Sequence, residues 1–353
     1  MNCESGKPES GQPPSRRRSV RPPCRTSGEP TVAVVICTRD RPRALIETLN
    51  SVLAQTRLPD ELIIIDDGHL SEEILDRLSR QCQDLGTTWL YQRSASPGLT
   101  SSRNLAVEIA SSDVLQYLDD DVTCEAGFLG EVSRLMADPL IAGVTANVRE
   151  PAFETRGGRL YQLGYRLAGW WRVAPRGTPS GPRPRALSDS TVVTRARWLS
   201  GAAMALRREV VAAERFDEGL TDYALGEDRE MGYRLAPRYW LVEAKRAHVT
   251  HRRETSQRTD SRRLGFMASY NYLRILKKTC RLGAGDWLLI AWGLSVVAAM
   301  HVAWSLIGDR RAHLGELAGM AEGVLAFFRR RGCHWRLAPQ CDLVGGENKG
   351  GQA

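Results

Sequence analysis

Three consecutive aspartates follow an apolar run in the first half of the chain. The run Val114–Leu118 reads V-L-Q-Y-L, which is typical of a strand buried in a sheet, and Asp119, Asp120 and Asp121 come directly after it. Carboxylates cannot enter an apolar core unpaired, because burying a charge costs far more than a strand returns. Hard carboxylate oxygens suit Mg²⁺ or Mn²⁺, and such ions bridge proteins to diphosphates. The triplet therefore predicts a metal–diphosphate site, with a solvated acidic turn as the alternative.

Two earlier apolar runs also end in polar residues. Thr31 to Thr38 (T-V-A-V-V-I-C-T) and Leu62 to Ile65 (L-I-I-I) are continuous, as in strands that are covered on both faces. The residues that close the two runs are Thr38, Arg39, Asp66 and Asp67. In open α/β sheets, ligands bind at the carboxyl ends of the strands. We therefore expect these residues and the aspartate triplet along one edge of a sheet, where a nucleotide would lie.

Strand-like and helix-like runs alternate from residue 31 to residue 148 in the order β-α-β-α-β-α-β-α-β. This alternation predicts an α/β fold with a mostly parallel sheet flanked by helices. Asp40 is expected to cap the first helix and Ser71 the second. From residue 151 to residue 197, Arg, Gly and Pro break the pattern and a Trp170–Trp171 pair stands alone, so a long loop is expected.

Further acidic and histidine side chains come later in the chain. Glu227 and Asp228 lie at the predicted start of a short helix, where free backbone N–H groups and the helix dipole favour an ionised carboxylate. An edge strand is predicted from Tyr239 to Val242, and His248 and His251 follow it. A carboxylate at a helix start has two interpretations, a capping group and a reactive group, and both stay open at this point.

A long apolar segment lies near the C-terminus. Phe266 to Lys278 is predicted to form a basic, amphipathic helix, and Trp287 to Gly308 has 22 residues without Asp, Glu, Lys or Arg. At about 1.5 Å per residue this covers roughly 33 Å, enough for a bilayer core. Basic residues flank both ends of the segment. A second helix is predicted from Ala312 to Phe328. We expect these helices to hold the chain at the cytoplasmic face of a membrane; a packed helical hairpin is the alternative.

Composition narrows the class of protein further. The chain has 353 residues, a net charge of +8 and 25% charged residues, which is ordinary for a globular protein. The basic excess comes without zinc-finger spacing or an RNA-binding signature, so nucleic acid is not an expected partner. None of the eight cysteines forms a C-x-x-C pair, and Cys37 and Cys124 fall beside predicted core strands. Free thiols in a reducing cytoplasm are therefore expected. Cys333, His334 and Cys341 match no known metal-site spacing.

Four regions are expected from these patterns. Residues 1–30 are rich in Pro, Ser, Gly and Arg, lack an apolar stretch and are expected to be disordered rather than a secretory signal. Residues 31–280 are expected to form the α/β domain, residues 281–332 the C-terminal helices and residues 333–353 a flexible tail.

With these residues identified, the chain resembles the family 2 glycosyltransferases of the GT-A fold from about Thr31 to Lys278. The matching pieces, in the family's order, are V-V-I-C-T-R-D-R-P, I-I-I-D-D-G, P-G-L-T-S-S-R-N-L-A, Y-L-D-D-D-V, S-G-A-A-M-A-L-R-R and G-E-D-R-E-M-G-Y-R-L. The resemblance implies a nucleotide-sugar donor, Mn²⁺ or Mg²⁺ and transfer with inversion to an unknown glycan or lipid-linked acceptor. It also implies a place in the synthesis of cell-surface polysaccharide, glycolipid or glycoconjugate.

The resemblance carries over to single positions of this sequence. It implies a base and ribose pocket at Thr38 and Arg39, and a nucleobase contact at Asp66 or Asp67. It places Arg103 near the nucleotide and Asp120 among the donor-binding residues. Metal contacts are implied for Asp119, Asp121 and His251. It assigns the catalytic base to Asp228, with Glu227 holding substrate hydroxyls, and His248 is a weaker candidate than His251.

The implied chemistry fits these residue types. Inverting transfer needs a base that takes the proton of the acceptor hydroxyl, and a carboxylate within hydrogen-bond reach suits this. The departing diphosphate gains negative charge, which a divalent cation offsets. Two other classes remain open. A sugar-phosphate nucleotidyltransferase would want a Gly-rich phosphate loop after the first strand, and C-T-R-D-R-P has no Gly. In an inert, membrane-attached sugar-nucleotide-binding protein, Asp119, Asp121 and Asp228 would have no reason to be intact.

Overall fold

The computed structural model describes residues 28–95, 98–169, 172–220, 223–253 and 260–329. The expectations for the N-terminal tail up to residue 27, for Trp170 and Trp171, and for everything after residue 329 lie outside these described residues.

The described residues form one mixed sheet with helices on both faces and three further helices at the C-terminal end. The strands are β1 Val32–Thr38, β2 Glu61–Asp66, β3 Thr88–Arg93, β4 Val114–Leu118, β5 Val122–Cys124, β6 Ile141–Arg149, β7 Val193–Arg195, β8 Ala203–Arg207 and β9 Trp240–His251. The helices are α1 Pro42–Leu53, α2 Glu72–Asp84, α3 Leu99–Ile109, α4 Phe128–Met136, α5 Pro151–Glu154, α6 Arg156–Ala168, α7 Arg208–Glu214, α8 Glu227–Leu235, α9 Ser261–Thr279, α10 Ala284–Ile307 and α11 Arg310–Arg329.

The strand order is β3-β2-β1-β4-β8-β6-β9-β5, with β7 also paired to β9. Strands β3, β2, β1 and β4 are parallel, as expected. Strand β8 then runs antiparallel between β4 and β6, and β5 and β7 run antiparallel to β9. The α/β fold class is confirmed, and the sheet is mixed because β8 runs antiparallel to both of its neighbours while β5 and β7 run antiparallel to β9.

Both faces of the first strands are covered, which explains their continuous apolar runs. Val34 and Ile36 of β1 pack with Leu45 and Leu49 of α1 on one face of the sheet. On the other face, alternate residues such as Val35 pack in the cluster that contains α3 and α8 side chains. A strand buried on both sides needs apolar residues at every position. The carboxyl end of the sheet is thereby the open edge at which polar residues can collect.

Three local predictions are wrong. Asp40 does not cap α1: it lies at φ +53°, Arg41 occupies the cap position, and the Asp40 carboxylate accepts the His69 N–H at 3.1 Å. Strand β9 is no short edge strand, since it has 12 residues and pairs with β6 on one side and with β5 and β7 on the other. The expected loop after residue 150 contains helix α6, whose first turn is capped by the Thr155 hydroxyl.

The C-terminal helices α9, α10 and α11 fall at the three predicted helix positions, and they pack closely. Helices α9 and α11 lie in direct backbone contact: a Cβ on Gly319 would stand 1.8 Å from the Arg262 carbonyl, and one on Gly265 2.0 Å from the Glu316 carbonyl. Helix α10 packs between α11 and α6. Of the described residues, one helix, α10, is long and apolar enough to cross a membrane. The four described cysteines are free thiols.

Candidate active site and metal cluster

The aspartate triplet forms the link between β4 and β5. Strand β5 pairs antiparallel with the end of β9, and this register sets His251 opposite Val122, one residue after Asp121. Two distant parts of the chain are therefore joined by strand pairing at the carboxyl edge of the sheet. The expected edge site exists, and it contains a histidine that comes from the strand whose length the sequence did not reveal.

Asp119, Asp121 and His251 form a cluster that could hold a metal ion. Their ligand atoms all lie within 4.8 Å of one another. His251 Nε2 lies 3.1 Å from Asp121 Oδ1 and 3.9 Å from Asp119 Oδ2. Two carboxylates and one imidazole are a donor set suited to Mn²⁺ or Mg²⁺. The Asp121 side chain is only 5% exposed, so the exposed carboxylate expected at this position is wrong, whereas Asp119 is 33% exposed.

Glu150 fixes the orientation of His251. It follows β6 directly, and its Oε1 lies 3.4 Å from His251 Nδ1, while its Oε2 lies 2.7 Å from Arg253 Nη2. A carboxylate on the second ring nitrogen of a histidine holds the ring in place and leaves the first nitrogen for a ligand. Glu150 was not predicted, because neither its spacing nor its place before Pro151 indicates that β6 ends beside β9.

The cluster holds excess negative charge. Burial opposes protonation of His251, but hydrogen bonds with Asp121 and Glu150 and the charges of Asp119 and Asp121 outweigh it and raise the pKa of His251 to about 9. Burial also raises the pKa of Asp119 to about 6, although Arg103 and His251 oppose the rise. Protonated His251 thus offsets part of the negative charge of the cluster. A bound divalent cation would offset that charge instead of the proton.

Asp120, the middle residue of the triplet, points into the protein. Its carboxylate accepts the Thr38 hydroxyl at 2.7 Å and Arg41 Nη1 at 2.8 Å. Asp120 and Thr38 are 5% and 3% exposed. Both side chains fasten the triplet to β1 and α1, and the expected donor contacts at Thr38 and Asp120 stay predictions. Arg41, which also lies 3.6 Å from Asp121, was missed.

The two aspartates after β2 also differ in position. Asp66 is fully buried and accepts the Gly68 and Leu70 N–H groups and the Tyr91 hydroxyl. These bonds shape the turn, and the expected contact of Asp66 with a nucleobase stays a prediction. Asp67 is partly exposed; it accepts the Gly98 N–H at 2.9 Å and the Ser102 hydroxyl, so it ties the turn to the start of α3. Arg39 is exposed.

Arg103 connects the metal cluster to the carboxylates of α8. Its guanidinium donates to Glu227 Oε1 at 2.6 Å, to the Gly201 carbonyl at 3.0 Å and to Asp119 Oδ1 at 3.5 Å. Its side chain is 2% exposed and lies against the rings of Tyr117 and Phe216. The guanidinium is enclosed by protein and positions Asp119 and Glu227, and the expected place of Arg103 near the nucleotide stays a prediction.

Glu227 and Asp228 open helix α8, as predicted. Gly226 precedes them at φ +93°, a conformation that glycine adopts without strain. Burial and the charge of Asp228 raise the pKa of Glu227 to about 8, against the opposing charge of Arg103. Asp228 is partly exposed, and its Oδ2 accepts the Gly201 N–H at 2.9 Å. The buried carboxylate is thus paired with Arg103, while the accessible one is held by a backbone amide.

Glycine is required at position 201. A Cβ there would lie 2.8 Å from Glu227 Oε1 and 3.4 Å from Asp228 Oδ2. The backbone of the β7–β8 connection can approach both carboxylates only without a side chain. This role was missed, although S-G-A-A-M-A-L was recognised as a motif. The weaker candidate His248 lies on β9, where its Nδ1 is buried without a hydrogen-bond partner.

Comparison with known proteins gives a consistent result. The family described as Glycosyl transferase family 2 matches residues 33–200. The glucosyl-dolichyl phosphate glucuronosyltransferase of Haloferax volcanii is 37% identical over 100 residues, 28% of this chain and 31% of the relative. The O-antigen biosynthesis protein RfbC of Myxococcus xanthus is 28% identical over 254 residues, 69% of this chain and 19% of the relative. The chain thus spans less than a third of the length of either relative.

Two solved structures share the fold. The mannosyltransferase PcManGT of Pyrobaculum calidifontis, in complex with GDP-Man and Mn²⁺, has a TM-score of 0.51 at 14% identity and covers 85% of this chain and 88% of its own. GalNAc-T7 with UDP, GalNAc and Mn²⁺ has a TM-score of 0.50 at 17% identity, covering 71% of this chain and 48% of its own. At these identities the likeness concerns the fold, and it confirms the GT-A class.

Proposed function

Because residues 33–200 belong to glycosyl transferase family 2, we propose that this chain transfers a sugar, with inversion, from a nucleotide-diphosphate sugar to an acceptor hydroxyl. The observation that carries the proposal is the pairing of two separate carboxylate sites. The cluster of Asp119, Asp121 and His251 suits a cation, and Glu227 and Asp228 stand on the other side of Arg103. An inverting transferase needs one site for each task, a charge-neutralising site and a base.

The metal would be held by Asp119, Asp121 and His251. Mn²⁺ or Mg²⁺ bound there would offset the negative charge that grows on the departing nucleoside diphosphate. Asp121 and His251 are the better positioned ligands, since Asp121 Oδ1 and His251 Nε2 lie 3.1 Å apart and Glu150 holds the ring of His251. Both solved structures of similar fold were obtained with Mn²⁺, which supports this class of ion.

The donor would lie along the carboxyl edge of β1, β2 and β4. Arg39 is the exposed side chain after β1, and Asp67 is the accessible aspartate after β2. We assign the nucleoside contact to these two residues, because Thr38, Asp66 and Asp120 are buried beneath them. The nucleobase and the sugar stay open, since these contacts would serve more than one nucleotide.

Asp228 is the proposed general base. Its carboxylate is partly exposed and ordered by two backbone amides, with Oδ2 accepting the Gly201 N–H at 2.9 Å and Oδ1 the Arg229 N–H at 2.6 Å; the remaining lone pairs of these oxygens are the proposed acceptors of the hydroxyl proton. Taking the hydroxyl proton as the oxygen attacks the anomeric carbon would contribute roughly 10² to 10⁴ in rate. Glu227 is less suited, because it is buried against Arg103; in this arrangement it keeps Arg103 and the start of α8 in register.

The biological setting follows from the relatives and from α10. One relative is named for a dolichyl phosphate substrate and another for O-antigen biosynthesis. We propose that this chain, too, builds a cell-surface polysaccharide, glycolipid or glycoconjugate, with a glycan or lipid-linked acceptor. The cytoplasmic face of a membrane is the proposed location, because nucleotide-sugars are made in the cytosol and α10 has no Asp, Glu, Lys or Arg after Asp286.

The proposal is tested by incubating the purified chain with a panel of nucleotide-sugars, Mn²⁺ and lipid-linked or free glycan acceptors. Release of nucleoside diphosphate that depends on both cation and acceptor, with formation of the glycosylated acceptor, is the expected result. Binding of nucleotide-sugar without any transfer across the panel would favour an inert binding protein. Formation of pyrophosphate from a nucleoside triphosphate and a sugar phosphate would favour a nucleotidyltransferase.

A further inference from the structure

Helix α10 exposes a continuous apolar face. The helix has 24 residues, about 36 Å in length, and its exposed positions recur every three or four residues. These positions are Leu288, Ala291, Trp292, Ser295, Ala299, Val302, Ala303, Leu306 and Ile307. Leu288 and Leu306 are 73% and 80% exposed. A helix on the surface of a globular protein normally turns charged residues outward, so this face is suited to a partner that is itself apolar.

Helix α6 extends this face on one side. It packs on α10 through small residues: Gly164 lies against Met300, and Gly157 lies against Trp304. The adjacent side of α6 carries three leucines that are 50–61% exposed, namely Leu160, Leu163 and Leu167. The exposed Trp292 indole donates to the Leu167 carbonyl at 3.0 Å, which joins the two exposed surfaces.

Helix α11 extends it on the other side. Its exposed positions Leu314, Ala318, Ala321, Leu325 and Phe328 repeat at helical spacing and carry no charge. The outer surfaces of α6, α10 and α11 are together called the apolar face below. Few monomeric proteins leave apolar surfaces of this extent uncovered, and such surfaces mark interaction sites.

The rim of the apolar face is basic. The exposed arginines are Arg156, Arg159 and Arg166 on α6, Arg310 and Arg311 at the start of α11, and Arg329 at its end. Among the described residues, the exposed acidic residues at the ends of these helices are Glu154 and Asp309, and Glu322 on α11, 44% exposed at its side chain, is paired with Arg262. An apolar centre with a basic rim is complementary to a bilayer with anionic headgroups. Two copies of this face would instead bring arginines against arginines.

The geometry favours a face that lies on the bilayer over a helix that crosses it. Helices α6 and α11 pack against α10, and the buried residues of α10 include His301 and Ser305. Helix α6, which would have to cross beside α10, has 13 residues, fewer than the roughly 20 that a span needs, and it carries three arginines.

We infer that α6, α10 and α11 form a monotopic docking surface for an anionic lipid bilayer, embedded to the depth of the apolar face with the arginines at headgroup level. This deepens the proposed membrane location and assigns α6, which the sequence did not mark as a helix, as part of the contact. Glu150 and α5 connect α6 directly to the metal cluster, so the active site stands close to the lipid surface.

The test is flotation of the purified full chain, freed of detergent, with vesicles of phosphatidylcholine mixed with phosphatidylglycerol. The wild type should float with them and float less with phosphatidylcholine alone. Leu160→Glu/Leu163→Glu/Leu167→Glu should lower the bound fraction by about tenfold or more, because three exposed apolar anchors are lost. Leu288→Glu/Leu306→Glu should do the same from the neighbouring helix.

The matched control is Arg77→Glu/Arg80→Glu/Gln83→Glu on the exposed side of α2, far along the chain and on a different helix. It lowers the net charge further than the leucine triple variant does. A loss of binding that came from net charge alone would therefore be larger in the control. Flotation of both leucine variants at wild-type levels, or an equal loss in the control, would overturn the inference.

Two further measurements distinguish this lipid contact from a membrane-spanning helix and from a dimer. Alkaline carbonate should release the chain from cell membranes, whereas retention would mean that α10 spans the bilayer. Light scattering of the lipid-free wild type should give no stable dimer; a dimer that the leucine variant dissociates, without vesicle binding, would assign the face to a second copy. Diphosphate release from a soluble donor in detergent should be unchanged in the leucine variants, so failure of the docking surface is distinguishable from failure of the transferase.

Discussion

At the scale of single residues, the aspartate triplet divides into two functions. Asp119 and Asp121 face His251, while Asp120 turns inward to Thr38 and Arg41. The resemblance to family 2 glycosyltransferases implied the outer pair as the metal contacts, while the sequence pattern alone predicted a metal–diphosphate site at the triplet without choosing among its members. The pattern could not predict that Thr38 and Asp66 would be consumed by internal hydrogen bonds, since burial depends on how the edge of the sheet is closed.

The first prediction compares two neighbours in the triplet. Asp121→Asn should lower Mn²⁺ affinity by at least about tenfold, because a metal-facing carboxylate is lost while the shape is kept. Asp120→Asn should leave Mn²⁺ affinity nearly intact and lower thermal stability, because its ion pair with Arg41 is lost. Calorimetric titration with Mn²⁺ and a nucleoside diphosphate, beside thermal melts, measures both. Equal metal affinity in the two variants would remove Asp121 from the site.

The second prediction concerns pH. The pKa of His251 is raised to about 9, so its protonated form stabilises the cation-free fold below the unfolded value of about 6.5, and that contribution is lost as pH rises through 9. A metal must displace this proton, and Mn²⁺ affinity should therefore rise with pH up to about 9, by at most about tenfold per pH unit. His251→Gln should flatten the dependence above pH 6. An unchanged slope in this variant would assign the proton to another group.

At the scale of elements, the early strands and helices were predictable because each carries its own pattern. Strands β1, β2 and β4 are covered on both faces and read as unbroken apolar runs. Strand β9 was underestimated because Glu243, Lys245 and Arg246 interrupt its apolar residues, and its register with β6 shifts twice. Helix α6 was missed because its contact with α10 uses glycines, which signal a loop when the partner helix is unknown.

The third prediction tests how the β7–β8 connection supports α8. Gly201→Ala should place a Cβ 2.8 Å from Glu227 Oε1 and disturb the Arg103–Glu227 ion pair, so turnover should fall by about tenfold or more with donor binding preserved. Gly127→Ala is the matched control, because a Cβ there meets nothing within 4 Å and the φ of −93° suits alanine. Steady-state kinetics of both variants decide. Wild-type turnover in Gly201→Ala would mean that the connection is not part of the active site.

At the scale of the whole molecule, one side chain joins the two parts of the proposed active site. Arg103, on α3, contacts Asp119 from the β4–β5 link and Glu227 from α8. Pairing of β5 with β9 brings His251 to this cluster. Glu150 contacts His251, and the chain continues from Glu150 through α5 into α6, which is part of the apolar face. The order of the motifs indicated this assembly only through the resemblance to a known family. Three of the four contacts join segments more than 100 residues apart, and no local sequence pattern reveals such contacts.

The most direct test of the central claim is the turnover of Asp228→Asn, measured with its donor affinity. Asparagine keeps the shape and can keep one of the two backbone contacts, with the Gly201 or the Arg229 N–H, but it cannot take the acceptor's proton. The account predicts a fall in turnover of roughly 10² to 10⁴ with donor affinity unchanged, whereas loss of a helix cap alone would cost about 1 kcal/mol of stability and leave the chemistry intact. Near wild-type turnover in Asp228→Asn, on an acceptor that the wild type uses, would contradict the assignment of Asp228 as the base.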